Sequence, residues 1–307
     1  MKRRHFLKNT AGATTALMMS KLSGFASSLT PNNTNAGYTL NIMATGWGFT
    51  GTLDELCAKA KAANYNGIEM WWPNDKKGQD DLFAALKKHQ LEIGFLVAGS
   101  ESNITSHLDT FKKMIDAAAH NTEQRPLYVN CHSGRDYFTY NENKLLIDHT
   151  LLLAKETGLR ISHETHRSRM LYSAPIARNF IETIPDLRIT FDVSHWCNVH
   201  ETLLHDQQQT IDMTLPRVDL IHARIGHPEG PQVNDPRAPE WEKAVKAHFG
   251  WWDAVVQMKK EKGEPITFLT EFGPPDYMPT EPYTRKPLSD QWAINIYMKD
   301  LLQKRYS

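Results

Sequence analysis

Apolar and polar positions alternate along this chain in a repeating order of short apolar runs and longer amphipathic stretches. After residue 37, eight apolar runs have the length and residue content of buried strands. Most are followed by stretches whose apolar positions recur every three or four residues, the spacing of an amphipathic helix. The predicted strands cover residues 39–45, 67–72, 91–99, 126–134, 159–166, 187–195, 218–226 and 265–273.

This alternation predicts parallel strands joined by helical crossovers. Eight strand–helix units in residues 38–307 match a single closed (β/α)8 barrel, an α/β fold that typically has about 250 residues. An open doubly wound sheet is the alternative, but no G-x-G-x-x-G turn follows the first predicted strand. The long Pro/Gly-rich loop at 226–241 follows the seventh strand, and we expect it to help build the active face of the barrel.

The N-terminal residues have the composition of an export signal. Arg3-Arg4 precedes a modestly apolar centre and small residues, and this pattern resembles the twin-arginine signal, departing from it at Lys2. We therefore expect a signal peptide at residues 1–26, a linker at 27–37, the twin-arginine translocation machinery as a partner and a periplasmic location. No other apolar run is long enough to span a bilayer.

Composition narrows the class of partner. The 307 residues contain 35 Lys+Arg and 35 Asp+Glu, which give a net charge of zero. Proteins that bind nucleic acid through phosphate contacts are usually basic, so we expect no nucleic-acid partner. The three cysteines do not form a disulfide framework. The sequence leaves the oligomeric state open, with a homo-oligomer among the alternatives.

Four residues with metal-binding side chains lie at the ends of four consecutive predicted strands. They are Glu164, Asp192, His222 and Glu271. In barrels of this kind the chemistry lies at the carboxyl ends of the strands. Three carboxylates and one imidazole suit a single divalent cation, with Mn²⁺ as the expected ion and Mg²⁺, Co²⁺ or Zn²⁺ as alternatives.

Each of these residues also has a structural interpretation when it is considered alone. Asp192 can cap a helix, His222 can be a hydrogen-bonded core histidine, and the glutamates can pair with Arg167 or Arg169. Buried carboxylates are costly unless they are paired or bind a metal. Because all four occupy successive strand ends, the metal site is the favoured interpretation.

The set Glu164, Asp192-Val-Ser-His195, His222 and Glu271 resembles the xylose-isomerase-like barrels, the sugar (phosphate) isomerases and epimerases. The resemblance covers most of the chain after the leader. It implies that Glu164 and Glu271 bind the metal and act as acid and base on opposite sides of a sugar carbon. It further implies that Asp192 and His222 complete the metal site, and that His195 contacts a substrate oxygen.

The chain departs from two branches of this family. In the ketose epimerases an arginine lies several residues beyond the strand-seven histidine, whereas here Pro228 takes that place and Arg224 is the nearby basic residue. The endonuclease-IV-like branch uses three zinc ions, and His132 matches one extra ligand. Its Asp-x-His motif falls on residues 235–237, Asp-Pro-Arg, so the three-zinc site is incomplete.

Five further residues are candidates for substrate binding. Trp47 and Trp71 follow the first two strands, where aromatic faces can stack on a sugar or pack in the rim. His132, His166 and Arg224 point toward the mouth of the barrel by strand register. With His195, they complete the predicted substrate site.

The predicted activity is that of a divalent-metal-dependent carbohydrate isomerase or epimerase. It abstracts a proton α to a carbonyl and passes through an enediolate stabilised by the ion. Because export separates the protein from cytoplasmic sugar phosphates and no phosphate motif is present, we expect an unphosphorylated sugar or keto-sugar as substrate. The alternatives are a 3-keto-glycoside lyase that cleaves by β-elimination at the same metal site, and a non-catalytic exported sugar-binding protein.

Overall fold

The strands form a closed parallel barrel, in agreement with the predicted (β/α)8 fold. The computed structural model describes residues 37–307, so the predicted signal peptide and nearly all of the predicted linker lie outside the described residues. Each strand pairs with its neighbours in chain order, and β8 returns to pair with β1. The strands are β1 Leu40–Thr45, β2 Gly67–Trp71, β3 Glu92–Ala98, β4 Tyr128–His132, β5 Ile161–Glu164, β6 Ile189–Phe191, β7 Val218–Ala223 and β8 Ile266–Thr270.

Helices surround the barrel and connect the strands. They are α1 Leu53–Ala62, α2 Lys76–His89, α3 Ile104–Ala119, α4 Tyr140–Thr157, α5 Ala174–Thr183, α6 Val193–Val199, α7 Gln208–Thr214, α8 Glu242–Lys262 and α9 Gln291–Tyr306. The main apolar core lies between these helices and the strands. Within residues 37–307, no helix combines the length and the apolar character that crossing a membrane requires.

Local sequence signals fix several helix ends. Helix α1 begins directly after Thr52, which forms a reciprocal capping box with Glu55. Thr139 and Glu142 form the same arrangement at the start of α4. Each cap satisfies backbone N–H groups that have no partner within the helix, a contribution of about 0.5–2 kcal/mol.

The sixth strand is shorter than the sequence predicts, because a helix begins inside the predicted range 187–195. The strand ends at Phe191, and residues 193–199 form α6. Asp192 caps this helix by accepting a hydrogen bond from the backbone N–H of Ser194 at 3.1 Å. The cap therefore fixes the position of Asp192 between β6 and α6, at the carboxyl end of the barrel.

Two long loops cover the same end of the barrel. The loop after β7 packs closely on α6, since a Cβ on Gly226 would lie 2.7 Å from the Cα of Ser194. The loop after β8, residues 271–290, contains a bridge between Thr280 and Pro287. The second loop also carries Tyr277, which reaches the site described next.

Candidate metal centre

Four buried side chains converge at the carboxyl end of the barrel. Glu164 ends β5, Asp192 follows β6, His222 lies on β7 and Glu271 follows β8. One nitrogen or oxygen atom from each residue lies within 4.8 Å of the corresponding atoms of the other three. Their side chains are shielded from solvent, with Glu271 the most exposed at 7%. The structure thus brings together the four residues that the sequence analysis selected as metal ligands.

The atoms that face one another in this cluster lack hydrogen bonds. Nδ1 of His222 lies 2.9 Å from Oε2 of Glu271 and 3.6 Å from Oε1 of Glu164. None of these three buried atoms has a hydrogen-bond partner. Buried polar atoms are almost always satisfied, and unsatisfied ones call for an explanation such as an unseen ion. The cluster therefore fits a bound cation, and its three carboxylates and one imidazole suit Mn²⁺, Mg²⁺, Co²⁺ or Zn²⁺.

Asp192 combines the two roles that the sequence analysis set against each other. Its Oδ1 accepts the capping hydrogen bond from the backbone of Ser194, and its Oδ2 faces Arg224. One oxygen thus holds the start of α6, while the other is directed toward the cluster. The helix-cap and metal-ligand interpretations are compatible for this residue.

Arg224 supplies the positive charge inside the acidic cluster. It is fully buried, it donates a hydrogen bond to Asp192, and its Nη2 lies 3.6 Å from Oε2 of Glu271. The two arginines considered as alternative partners for the glutamates are engaged elsewhere, since Arg167 donates to Asn198 and Arg169 donates to the carbonyl of Gly99. Arg224 is therefore the arginine that neutralises this cluster.

The buried charges shift the pKa values of the cluster in opposite directions. Burial would raise the pKa of Glu164, but the imidazoles of His132 and His222 hold it well below its usual range. Burial raises the pKa of Asp192 to about 6, against the lowering effect of Arg224. Burial would lower the pKa of His222, but Glu271 and Glu164 raise it well above its usual value. Without a cation, a proton on His222 offsets part of the negative charge.

Two buried polar residues near His222 were not selected from the sequence. Glu69 lies on β2 with its Oε2 3.7 Å from Nε2 of His222, and Asn130 on β4 donates to Glu164 at 2.8 Å. Burial raises the pKa of Glu69, whose Oε2 has no hydrogen-bond partner. The sequence feature that could have indicated a functional role for Glu69 is its position as the single charged residue inside the apolar run GIEMWW.

A cavity of about 340 Å³ opens above the cluster and reaches Glu271 and Glu69. Its wall includes five of the six residues predicted to contact substrate, namely Trp47, Trp71, His132, His166 and Arg224. His195 instead lies behind this wall and is fully buried. Its ring centroid is 3.9 Å from that of His166, and its Nε2 is 2.9 Å from Nη2 of Arg224. A direct substrate contact by His195 remains a prediction, and its observed contacts are with residues of the wall.

Aromatic rings form the outer part of the cavity. Trp47 packs edge-on against Tyr277 with a centroid distance of 4.8 Å, and Trp71 packs edge-on against His132 at 5.6 Å. Gly273 makes room for Trp47, because a Cβ at that position would lie 2.2 Å from the indole ring. Tyr277 was not selected from the sequence, since its position depends on how the loop after β8 folds back.

Comparison with known proteins identifies the family. The family model described as "Xylose isomerase-like TIM barrel" matches residues 57–247. The chain belongs to this family. The matched range runs from α1 to α8 and includes Glu164, Asp192 and His222. No curated protein sequence matches the chain significantly.

Solved structures share the fold at low sequence identity. A structure of IOLI protein with a binding zinc atom has a TM-score of 0.58 and 14% identity, covering 87% of this chain and 99% of its own. The 3-keto-D-glucoside 4-epimerase from E. coli has a TM-score of 0.57 and 13% identity, covering 87% and 100%. A D-tagatose 3-epimerase-like protein has a TM-score of 0.57 and 13% identity, covering 86% and 96%. At these identities the likeness establishes the fold.

Proposed function

We propose that this protein is a divalent-metal-dependent carbohydrate isomerase or epimerase that abstracts a proton α to a carbonyl. The observation that carries the proposal is the convergence of Glu164, Asp192, His222 and Glu271 on one buried point at the end of a cavity. The sugar epimerases among the proteins of similar fold support the same class of reaction. The family alone fixes no activity, because function depends on the site.

The two glutamates are the proton-transfer groups in this proposal. Glu164 and Glu271 approach Nδ1 of His222 at 3.6 Å and 2.9 Å, so they flank one point. One carboxylate accepts the proton from the α carbon, and the C–H electron pair forms the C=C bond of an enediolate as the carbonyl π pair moves to oxygen. In an epimerase the other glutamate, which starts as a carboxylic acid, donates its proton to the opposite face of the same carbon while an oxygen electron pair restores the C=O bond. In an isomerase a proton is instead delivered to the adjacent carbon.

The four ligands would hold the cation where it acts as a Lewis acid on the carbonyl oxygen. Arg224 and the histidines of the wall orient the substrate. The lowered pKa of Glu164 keeps that carboxylate ionised, the state that a base requires. Burial of the cluster excludes bulk water, which strengthens each of these electrostatic interactions.

The cavity wall supports an unphosphorylated substrate. Among the described residues that line it, Arg224 provides the one permanent positive charge, and Asp192 already pairs with that charge. A phosphate group usually requires free cationic side chains or a cradle of backbone N–H groups. The exposed faces of Trp47 and Trp71 instead suit the apolar face of a sugar ring.

A 3-keto-glycoside lyase remains the second candidate. It would use the same proton abstraction, followed by expulsion of the β substituent as the C=C bond forms. Trp71, which is 47% exposed at the outer part of the cavity, leaves an apolar surface next to the site on which a second ring can rest. The leaving group would then depart toward solvent.

We also propose that the protein acts in the periplasm after export. The support is the twin-arginine-like N-terminus alone. Fusion of residues 1–36 to a reporter that is active after folded export tests this point independently of the activity. Replacement of Arg3 and Arg4 by lysine should abolish export of the fusion, whereas export that continues in this variant would contradict the twin-arginine route.

Solvent deuterium incorporation tests the shared chemical step. Keto-sugars and 3-keto-glycosides are incubated with the protein in deuterated water, with a divalent ion or with a chelator. We expect deuterium at the carbon beside the carbonyl only with the ion, and free aglycone only if the lyase step follows. A sugar-binding protein without catalysis would bind the compounds and leave them unlabelled.

Two Glu→Gln variants, one inside the metal cluster and one outside it, test whether the deuterium exchange occurs at this cluster. Glu271→Gln removes a proton-transfer group and should lower the exchange rate at least about 10²-fold, within the range for a general base. Glu240→Gln changes an exposed glutamate in the loop after β7 and should leave the rate unchanged. Equal exchange rates in Glu271→Gln and the unmodified protein would exclude the proposed mechanism.

A further inference from the structure

Two arginines, which we call the arginine pair, lie close together at the mouth of the barrel. Arg135 follows β4 and Arg169 follows β5. Nη2 of Arg135 donates to the carbonyl oxygen of Ser100 at 2.7 Å, and Nη1 of Arg169 donates to that of Gly99 at 3.2 Å. Gly99 is held against the buried ring of His107, since a Cβ at this glycine would lie 2.6 Å from the imidazole. Two guanidinium groups therefore converge on one fixed segment after β3.

The positive charges of the arginine pair are not neutralised by carboxylates. Six arginines within residues 37–307 form ion pairs with carboxylates, and neither member of the pair is among them. Both side chains are partly buried, and Nε of each guanidinium is shielded but has no hydrogen-bond partner. Burial and the neighbouring Arg135 lower the pKa of Arg169, as expected for positive charges held near each other. Such a pair favours the binding of an anion.

The acidic side chains beside the pair do not take this role. Oε1 of Glu101 accepts from the hydroxyl of Thr110 at 2.6 Å, and its Oε2 accepts from the backbone N–H of Ser100 at 3.0 Å. Asp136 is exposed and forms no ion pair with either arginine. This part of the mouth therefore keeps a net positive charge, although the whole chain has a net charge of zero.

The arginine pair lies immediately outside the wall of the cavity. Ala98 on β3 pairs with His132 on β4, and His132 lines the cavity. The Cα of Ser100 is two residues further on, so it is no more than about 8 Å from that of Ala98. The backbone N–H of Arg169 donates to the carbonyl of His166, a second wall residue, at 3.2 Å. A substituent that extends from a sugar in the cavity past these histidines meets the pair.

We propose that the arginine pair binds an anionic substituent of the substrate, so that the substrate is an acidic saccharide. The inference rests on the proposed function, which places the sugar in the cavity. The carboxylate of a uronic acid and a sulfate ester share the required chemistry, because each offers two or more oxygens to guanidinium N–H groups. Tyr137, which is 62% exposed and follows Arg135 by two residues, adds an aromatic surface beside the pair.

A pair of glycosides that differ in one group tests the proposal by calorimetry. Methyl β-D-glucuronide carries a carboxylate where methyl β-D-glucoside carries a hydroxymethyl group. We expect the glucuronide to bind with a Kd at least about tenfold lower, the effect of hydrogen bonds to a charged group. The preference should persist in protein stripped of metal, which excludes a contact between the carboxylate and a cation. It should shrink as the NaCl concentration rises.

Two further glycosides distinguish the source of the negative charge. Methyl β-D-glucoside 6-sulfate that binds as tightly as the glucuronide would extend the substrate class to sulfated sugars, and weaker binding would assign the site to carboxylates. Tighter binding of the 6-phosphate than of both would overturn the assignment to an acidic, unphosphorylated saccharide.

Substitutions assign the preference to the arginine pair. Arg135→Gln and Arg169→Gln should each reduce the ratio of the two Kd values, and the double variant should bring it to about one. Arg169→Lys retains a charge without the planar fork and should retain part of the preference. Arg125→Gln removes an exposed arginine before β4 that donates to the carbonyl of Thr157 at 2.8 Å, and it should retain the full preference. An unchanged Kd for the neutral glucoside shows that each variant keeps its cavity.

The outcomes separate this inference from the proposed function. Equal Kd values for glucoside and glucuronide, a preference seen only with Mn²⁺, a preference that survives in the double variant, or binding of neither glycoside would overturn the anion site. Deuterium exchange into keto-sugars is measured separately and stands in each of these cases. Absence of that exchange in a protein that prefers the glucuronide would instead overturn the proposed function and retain the anion site.

Discussion

The carboxylate of Glu69 faces Nε2 of His222 at 3.7 Å, and the opposite ring nitrogen of His222 faces Glu271 at 2.9 Å. When Nδ1 binds a cation, the proton of the neutral imidazole must lie on Nε2. Asn130 also lies near Nε2, at 3.2 Å, but it presents its amide nitrogen. At 3.7 Å Glu69 makes no hydrogen bond to Nε2, but its carboxylate faces that nitrogen. We expect it to accept the Nε2 proton, and to hold the ring in the orientation that ligation requires, once a cation binds Nδ1.

Removal of the Glu69 acceptor should weaken metal binding. Glu69→Ala should raise the Kd for Mn²⁺ about 10–100-fold, as measured by competition with a chelating dye. Glu69→Gln retains an acceptor oxygen and should restore most of the affinity. Glu92→Ala removes an exposed glutamate from the adjacent strand and serves as the control. An unchanged Kd in Glu69→Ala would show that Glu69 does not position His222.

Arg224 should stabilise the metal-free protein more than the metal-loaded one. Arg224→Met leaves Asp192 and Glu271 as uncompensated buried charges, so the free energy of unfolding in chelator should fall by about 3–5 kcal/mol. A divalent ion replaces the missing positive charge and should recover part of the loss. Urea unfolding with and without Mn²⁺ measures both values. An equal loss of unfolding free energy with and without Mn²⁺ would show that Arg224 does not act by compensating the negative charge of the metal site.

Metal affinity should fall as the pH falls. In the metal-free protein His222 has a pKa well above its usual value, so a cation must displace its proton at neutral pH. Asp192 has a pKa raised to about 6, so below that pH a second proton must also leave. As the pH is lowered, the apparent metal affinity should therefore fall about tenfold for each pH unit down to pH 6. Below pH 6 it should fall more steeply.

The number of protons released when the cation binds tests the same protonation states. Titration calorimetry in two buffers of different ionisation enthalpy should show about one proton released per ion near pH 7 and more below pH 6. A metal affinity that stays constant from about pH 5 to pH 8 would contradict the protonation states inferred for His222 and Asp192.

The sequence was sufficient to predict the barrel and the residues of the central cluster because both depend on local patterns. Apolar runs of strand length recur eight times. The carboxyl end of each run marks the end of the barrel at which the functional side chains meet. Glu164, Asp192, His222 and Glu271 were selected from position along the strands, without knowledge of any contact. The closure of the barrel then brings those strand ends together.

Residues whose placement depends on contacts between distant elements were not predictable in the same way. The family resemblance implied a substrate contact for His195, whereas α6 begins at residue 193 and the observed contacts of this side chain are with Arg224 and His166. Glu69 lies within a strand rather than at its end, so a search of strand ends passed over it. Tyr277 depends on the path of a long loop, which has no periodic pattern to indicate its direction.

The last prediction concerns the exposed indole of Trp71, which packs edge-on against His132 at the cavity wall. If this ring stacks on the substrate in the ground state and the transition state alike, its loss should raise KM and leave kcat nearly constant. A loss of about 0.5–1.5 kcal/mol corresponds to a KM increase of about twofold to tenfold in Trp71→Ala. Trp71→Phe retains an aromatic face and should show a smaller increase, and Tyr283→Ala, which removes a fully exposed ring, should show none. Steady-state kinetics on the substrate found by deuterium exchange measures these effects, and a fall in kcat at constant KM would place Trp71 in the chemical step instead.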